Sequence, residues 1–148
     1  MHDANLHHTK LGFPTEFVRN FDAMQAEELT LNKEIQKKWQ QVMSFFEKQF
    51  GKKADLNAML FLIGIRELGE IPEKSFTKEE KTRLMHIANC KLLSYSGYYE
   101  MQGFNRKGWP EWKNIKPLPN LALLEQESLL RQHIIEYFEQ EEIIEFHA

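Results

Sequence analysis

The sequence predicts a mainly α fold of four main helices, with one aromatic β-hairpin inserted before the last helix. Three observations carry this. Apolar residues recur at three-and-four spacing in several segments, each closed by a Gly or Pro stop signal. One segment, residues 98–115, instead has aromatic-rich runs on both sides of a short Asn-Arg-Lys-Gly link. Finally, 148 residues with 42% apolar and 28% charged side chains are ordinary for one globular domain and too apolar for disorder.

Residues 1–31 read as an N-terminal arm. Gly12-Phe13-Pro14-Thr15 is a turn signal, and a short helix is expected from Thr15 to about Leu29. Leu11, Phe13, Phe17 and Phe21 are the arm's candidates for packing. The single helical domain is expected over 32–148. Its first helix spans about Asn32 to Phe50, with Ile35, Trp39, Val42, Phe46 and Phe50 on one face. Lys37, Lys38, Gln40 and Gln41 face water, and Gly51 is the stop.

The second helix runs from about Asp55, a plausible N-cap, to Glu67. Its apolar residues leave almost no polar side, so it should be central, with Leu60 and Ile63 buried and Gly64 admitting a neighbour closely. Gly69 and Pro72 end it. The third helix opens at Thr77, which forms a capping box with Glu80. Leu84, Ile87, Ala88, Leu92 and Tyr95 form its buried stripe, and Gly97 ends it.

The hairpin pairs Tyr98 to Phe104 with Trp109 to Ile115. The link Asn105-Arg106-Lys107-Gly108 suits a type I turn closed by Gly108 at positive φ. Pro110 cannot donate to a ladder, so its strand is an edge. Lys116-Pro117-Leu118-Pro119 is a stiff connector. The last helix is expected from about Leu123 to Glu142, with Leu130, Ile134, Tyr137 and Phe138 toward the core. Ala122 stands where a polar N-cap is expected.

The net charge of −3 provides no basic field for nucleic acid. Charge is uneven: Leu31 to Lys53 holds six Lys and two Glu, whereas Leu121 to Ala148 holds one Arg and seven Glu. Two such helices attract each other within a chain or across a dimer, or else are solvated faces. Cys90 is the only cysteine, which excludes an intrachain disulfide. Met1 to Lys10 lacks the apolar run of a signal peptide, and the longest apolar stretch, Leu56 to Ile65, is about half of the ~20 residues that span a bilayer. A cytoplasmic location and no membrane partner are expected.

Catalytic and metal-binding patterns are sparse. His86 and Cys90 lie four apart on one helix, a spacing that can hold two metal ligands, but no second pair accompanies them, so no metal or other cofactor is expected. His2, His7 and His8 lie in the arm without a ligand pattern. Cys90 sits mid-helix rather than at a helix N-terminus, and Ser94 and Ser96 lack a nucleophile elbow. No catalytic residue is assigned. The hairpin is the candidate surface: Trp109 and Trp112, with Arg106 and Lys107 at the tip, suit a partner contact, while Tyr99 serves the core. On a regular strand Trp109 and Trp112 differ in parity, so one should stay partly exposed unless a bulge falls at Pro110.

Gly97-Tyr98-Tyr99-Glu100, Gly108-Trp109-Pro110-Glu111-Trp112, Lys116-Pro117-Leu118-Pro119 and Glu125-Gln126-Glu127 together resemble a small, uncharacterised conserved-hypothetical protein family of Bacteroidota. The resemblance covers about Asn32 to Phe138. It implies a bacterial cytoplasmic protein and supplies no catalytic residue. The functional expectation is a non-enzymatic protein-interaction domain, with a protein partner or a homodimer. The alternative is a small-molecule or nucleic-acid binder that uses the aromatic hairpin.

Overall fold

The computed structural model describes residues 12–71 and 75–147. Among them are helices α1 (Thr15–Phe50), α2 (Leu56–Leu68) and α3 (Lys78–Ser94), strands β1 (Tyr99–Phe104) and β2 (Pro110–Asn114), and helix α4 (Leu123–Gln140). The strands form one antiparallel hairpin. The expected mainly α class, with the hairpin before the last helix, is the observed one. No helix among the described residues is long and apolar enough to cross a membrane. His2, His7, His8, Leu11 and Pro72 lie outside the described residues.

The amino-terminal region departs from expectation. The short helix to Leu29 and the helix from Asn32 are one continuous helix of 36 residues. No Gly or Pro interrupts Thr15–Phe50, and Thr30 turns its hydroxyl back onto the Ala26 carbonyl at 2.9 Å, so its side chain stays within the helical ladder. Gly51, at φ 72°, closes the helix by donating to the Glu47 carbonyl. The chain divides between Lys38 and Trp39 into two compact units.

The second unit, Trp39–His147, holds the core. α3 is its hub, meeting α2, α4, β1 and β2. The capping residues act as their sequence implies. Asp55 accepts the Ala58 N–H at 2.8 Å. Thr77 accepts the Glu80 N–H at 3.1 Å, while the Glu80 carboxylate accepts the Thr77 N–H at 2.9 Å. Ala122 caps α4 with no side-chain bond. Met59, Leu60 and Ile63 of α2 are buried, as are Leu84, Ile87, Ala88, Cys90 and Leu92 of α3.

α2 and α3 cross at Gly64. A Cβ there would stand 2.1 Å from the Leu84 carbonyl oxygen and 2.7 Å from its carbon. Backbone cannot retreat as a side-chain tip can, so the crossing requires glycine. The carboxy-terminal part of α1 joins the core through large aromatic rings: Phe45 and Phe46 lie 5.8 and 5.5 Å from Phe138. The chain's end returns to the same helix, where the Gln41 carboxamide exchanges two hydrogen bonds with the His147 backbone, each 2.9 Å.

Gly64→Ala should destabilise the protein by about 3 kcal/mol or more, at the upper end of overpacking costs. That would rank it with Leu60→Ala, which leaves a cavity and costs roughly 2–5 kcal/mol. Urea unfolding of the two variants checks this, and an unchanged Gly64→Ala midpoint would refute the close crossing.

Candidate functional site

The hairpin link is organised by Asn105. Its carboxamide oxygen accepts the Lys107 and Trp109 N–H groups at 2.9 and 3.0 Å, and its backbone N–H donates to the Trp109 carbonyl at 2.8 Å. Gly108 completes the turn at φ 84°. Arg106 and Lys107 are exposed at the tip, beside Phe104, which is 68% exposed.

Both indoles are drawn inward, by different routes. Trp109 is only 9% exposed and packs with Leu84 and Ile87 of α3, with the Arg83 guanidinium 4.7 Å from its ring. Trp112 is half-buried, the more exposed of the two, and its Nε1 is buried without a hydrogen-bond partner. Alternation along β2 begins at Pro110, with Pro110 and Trp112 covered and Glu111 and Lys113 exposed. Trp109 precedes the first paired residue, so strand parity does not govern it. The register shift falls in β1, between Met101 and Gly103, and not at Pro110. Tyr99 is half-buried, and Met101 is exposed.

The buried face of α4 carries two polar groups, Tyr137, which the helical period places toward the core, and His133, which it did not single out. The Tyr137 hydroxyl donates to Glu67 at 2.8 Å and accepts from Arg66 at 2.9 Å, and Arg66 also reaches Glu141 at 2.9 Å. One turn earlier, His133 places Nε2 2.7 Å from the Ser96 hydroxyl and Nδ1 2.9 Å from the Glu136 carboxylate. That is the order of a nucleophile, a base and an orienting acid. Acyl transfer also needs donors for the oxyanion. Here the N–H groups of Ser96, Gly97 and Tyr98 all donate to carbonyls at the end of α3, at 3.2, 3.0 and 3.1 Å. Ser96 also follows a helix C-terminus, where the dipole opposes negative charge. The relay therefore ties α4 to the turn after α3.

Cys90 is buried, with its sulfur 3.5 Å from His86 Nε2. Burial pushes its thiol up to about 11, away from the thiolate form that nucleophiles and metal ligands need. Among the described residues no group of three His, Cys, Asp or Glu could hold a metal ion.

An exposed apolar stripe lies on the amino-terminal part of α1, in the first unit. Phe17, Phe21, Met24 and Leu31 share one helical face and are 47–66% exposed. Half-buried Ile35 continues the line. The stripe escaped the sequence reading because the helix was divided at residue 31, which separated Phe17 and Phe21 from Ile35. Its four-and-three spacing is that of a helix seam. No family model, curated protein or solved structure matches the chain.

Buried Cys90 and Tyr137 and half-buried Tyr95 give stability a definite pH slope. Burial raises Cys90 to about 11 and Tyr95 to about 12, and it raises Tyr137 further, with Glu67 adding to the effect. In the unfolded chain these groups release their protons near about 8.5 for Cys and 10 for Tyr. Above those values the folded state binds more protons, so stability falls as pH rises. The urea midpoint should be level between about pH 7 and pH 8 and fall progressively toward pH 11, less steeply in Tyr137→Phe. A midpoint flat across that range would contradict the burial of these groups.

Proposed function

We propose that the protein is a non-enzymatic, self-associating domain whose copies pair through the apolar stripe of α1. A cytoplasmic setting is part of this proposal. The observation that carries the proposal is the run Phe17, Phe21, Met24 and Leu31, exposed along one face of a helix. Helical segments of that length gain little stability alone in water, and most of it comes from packing an amphipathic face.

Charge favours a second copy as the occupant. From Thr15 to Glu27 the helix carries Glu16, Asp22 and Glu27 against Arg19. From Leu31 to Lys38 it carries Lys33, Lys37 and Lys38 against Glu34. A parallel pair would set acidic half on acidic half. An antiparallel pair sets each acidic half beside the partner's basic half and also opposes the two helix dipoles. One patch meeting itself about a two-fold axis is the isologous arrangement common to dimers. The hairpin residues support a partner contact less well, because Trp109 is engaged by Leu84, Ile87 and Arg83.

A pair held by a few half-exposed side chains per copy is weak, on the order of micromolar. Light scattering at concentrations around 100 µM should give wild-type protein a mass twice the 17.6 kDa chain, with dissociation promoted by salt. Phe21→Glu and Met24→Glu should be monomeric with an unchanged urea midpoint. A monomeric wild type, or charge variants that still pair, would defeat the proposal.

A further inference from the structure

A cleft of about 250 Å³ lies between the last turns of α1, the middle of α2 and the end of α4. Every residue lining it belongs to the second unit. Its walls are mainly aromatic: Phe45, Phe46 and Phe50 come from α1 and Phe138 from α4, with Leu62 and Ile63 of α2 beside them. Phe46 and Phe50 stand one helical turn apart and stack at 6.0 Å. Gly51 ends α1 directly after Phe50, and that ring is 52% exposed.

The polar groups at this cleft are Gln49, Arg66 and Tyr137, and none of the described residues lining it is a carboxylate. The Tyr137 hydroxyl is already paired on both sides, with Arg66 and Glu67. Arg66 keeps donors in reserve. Its Nη1 alone donates to the Tyr137 hydroxyl and to Glu141, each at 2.9 Å, and lies 3.8 Å from Glu67. Its Nε and Nη2 have no protein partner among the described residues. These two nitrogens form the side-on edge of the guanidinium, which matches both oxygens of a carboxylate. The side chain is 46% exposed, so a solute can reach that edge. Lys91 lies 4.0 Å from Glu67 as well. Arg66 and Lys91 thus balance Glu67 and Glu141, and one added anion meets a neutral cluster with an open donor edge.

We propose that this cleft binds a small aryl monocarboxylate. Its ring lies against Phe46 and Phe50, and its carboxylate takes the Nε–Nη2 edge of Arg66. Aromatic walls favour a ring that can stack or pack edge-on. One open fork suits one carboxylate, and a second charge on the ligand would face apolar walls without a counter-charge.

The test titrates hydrocinnamate into the ¹⁵N-labelled full-length chain at neutral pH, with hydrocinnamyl alcohol as the uncharged arm. The Arg66 Nε–H resonance should shift saturably with the acid and stay still with the alcohol, while the amides of Phe50 and Ile63 shift with both. The acid should bind about fivefold more tightly than the alcohol, the gain expected of a half-exposed ion pair. Phe50→Ala removes an exposed ring and should weaken both compounds alike. Arg66→Gln should erase the acid's advantage, and because that advantage is a ratio within one variant, a change in stability does not obscure it. No saturable shift with the acid, an unmoved Arg66 Nε–H signal, equal affinity of acid and alcohol in wild type, or undiminished binding in Phe50→Ala would each overturn the proposal.

Discussion

The second unit depends on one missing side chain. α3 meets two strands and two helices, and at residue 64 the α2 backbone comes so close to it that a methyl group would overlap the Leu84 carbonyl. Beside that crossing Leu84 and Ile87 form one apolar cluster with Trp109. The opposite end of α3 turns through Ser96 and Gly97 into the hairpin. A lone two-stranded hairpin is marginal in water. Here it is held because its turn delivers an indole into the cluster beside the Gly64 crossing.

Polar contacts in the core add direction to what packing alone would leave loose. Tyr137 is fully buried, yet its hydroxyl is satisfied on both sides by Arg66 and Glu67. His133 likewise uses both ring nitrogens, on Ser96 and Glu136. Each set fixes the rotation of α4 against a different neighbour: α2 through Tyr137, and the end of α3 through His133. Their distances resemble those of working sites. Around Ser96 the N–H groups of residues 96–98 are already spent on carbonyls at the end of α3, and burial keeps the Tyr137 phenol protonated.

The features legible in the sequence are those set by local rules. Asp55, the Thr77–Glu80 box, Gly51 and Gly108 act within a turn of their own positions, and an all-apolar helix announced its burial and the role of Gly64. The illegible features are set by distant partners. Ser96 and His133 are 37 residues apart, and Arg66 and Tyr137 are 71 apart; neither pair leaves a periodic trace. The fate of Trp109 turned on where pairing begins, one residue later than strand alternation assumed. The exposed stripe was hidden by a helix divided where the chain has no breaker, so Phe17 and Ile35 were assigned to different elements.

The central claim is that two copies of α1 pair in opposite directions, and disulfide trapping tests it most directly. Cys90 is buried and protonated, so introduced cysteines are the reactive ones. In an antiparallel seam Phe21 of one copy lies across from Leu31 of the other. Oxidising an equimolar mixture of Phe21→Cys and Leu31→Cys chains should give mainly the mixed disulfide, at protein concentrations where wild type pairs. Equal yields of the two like-with-like dimers, or no cross-link at all, would contradict the account.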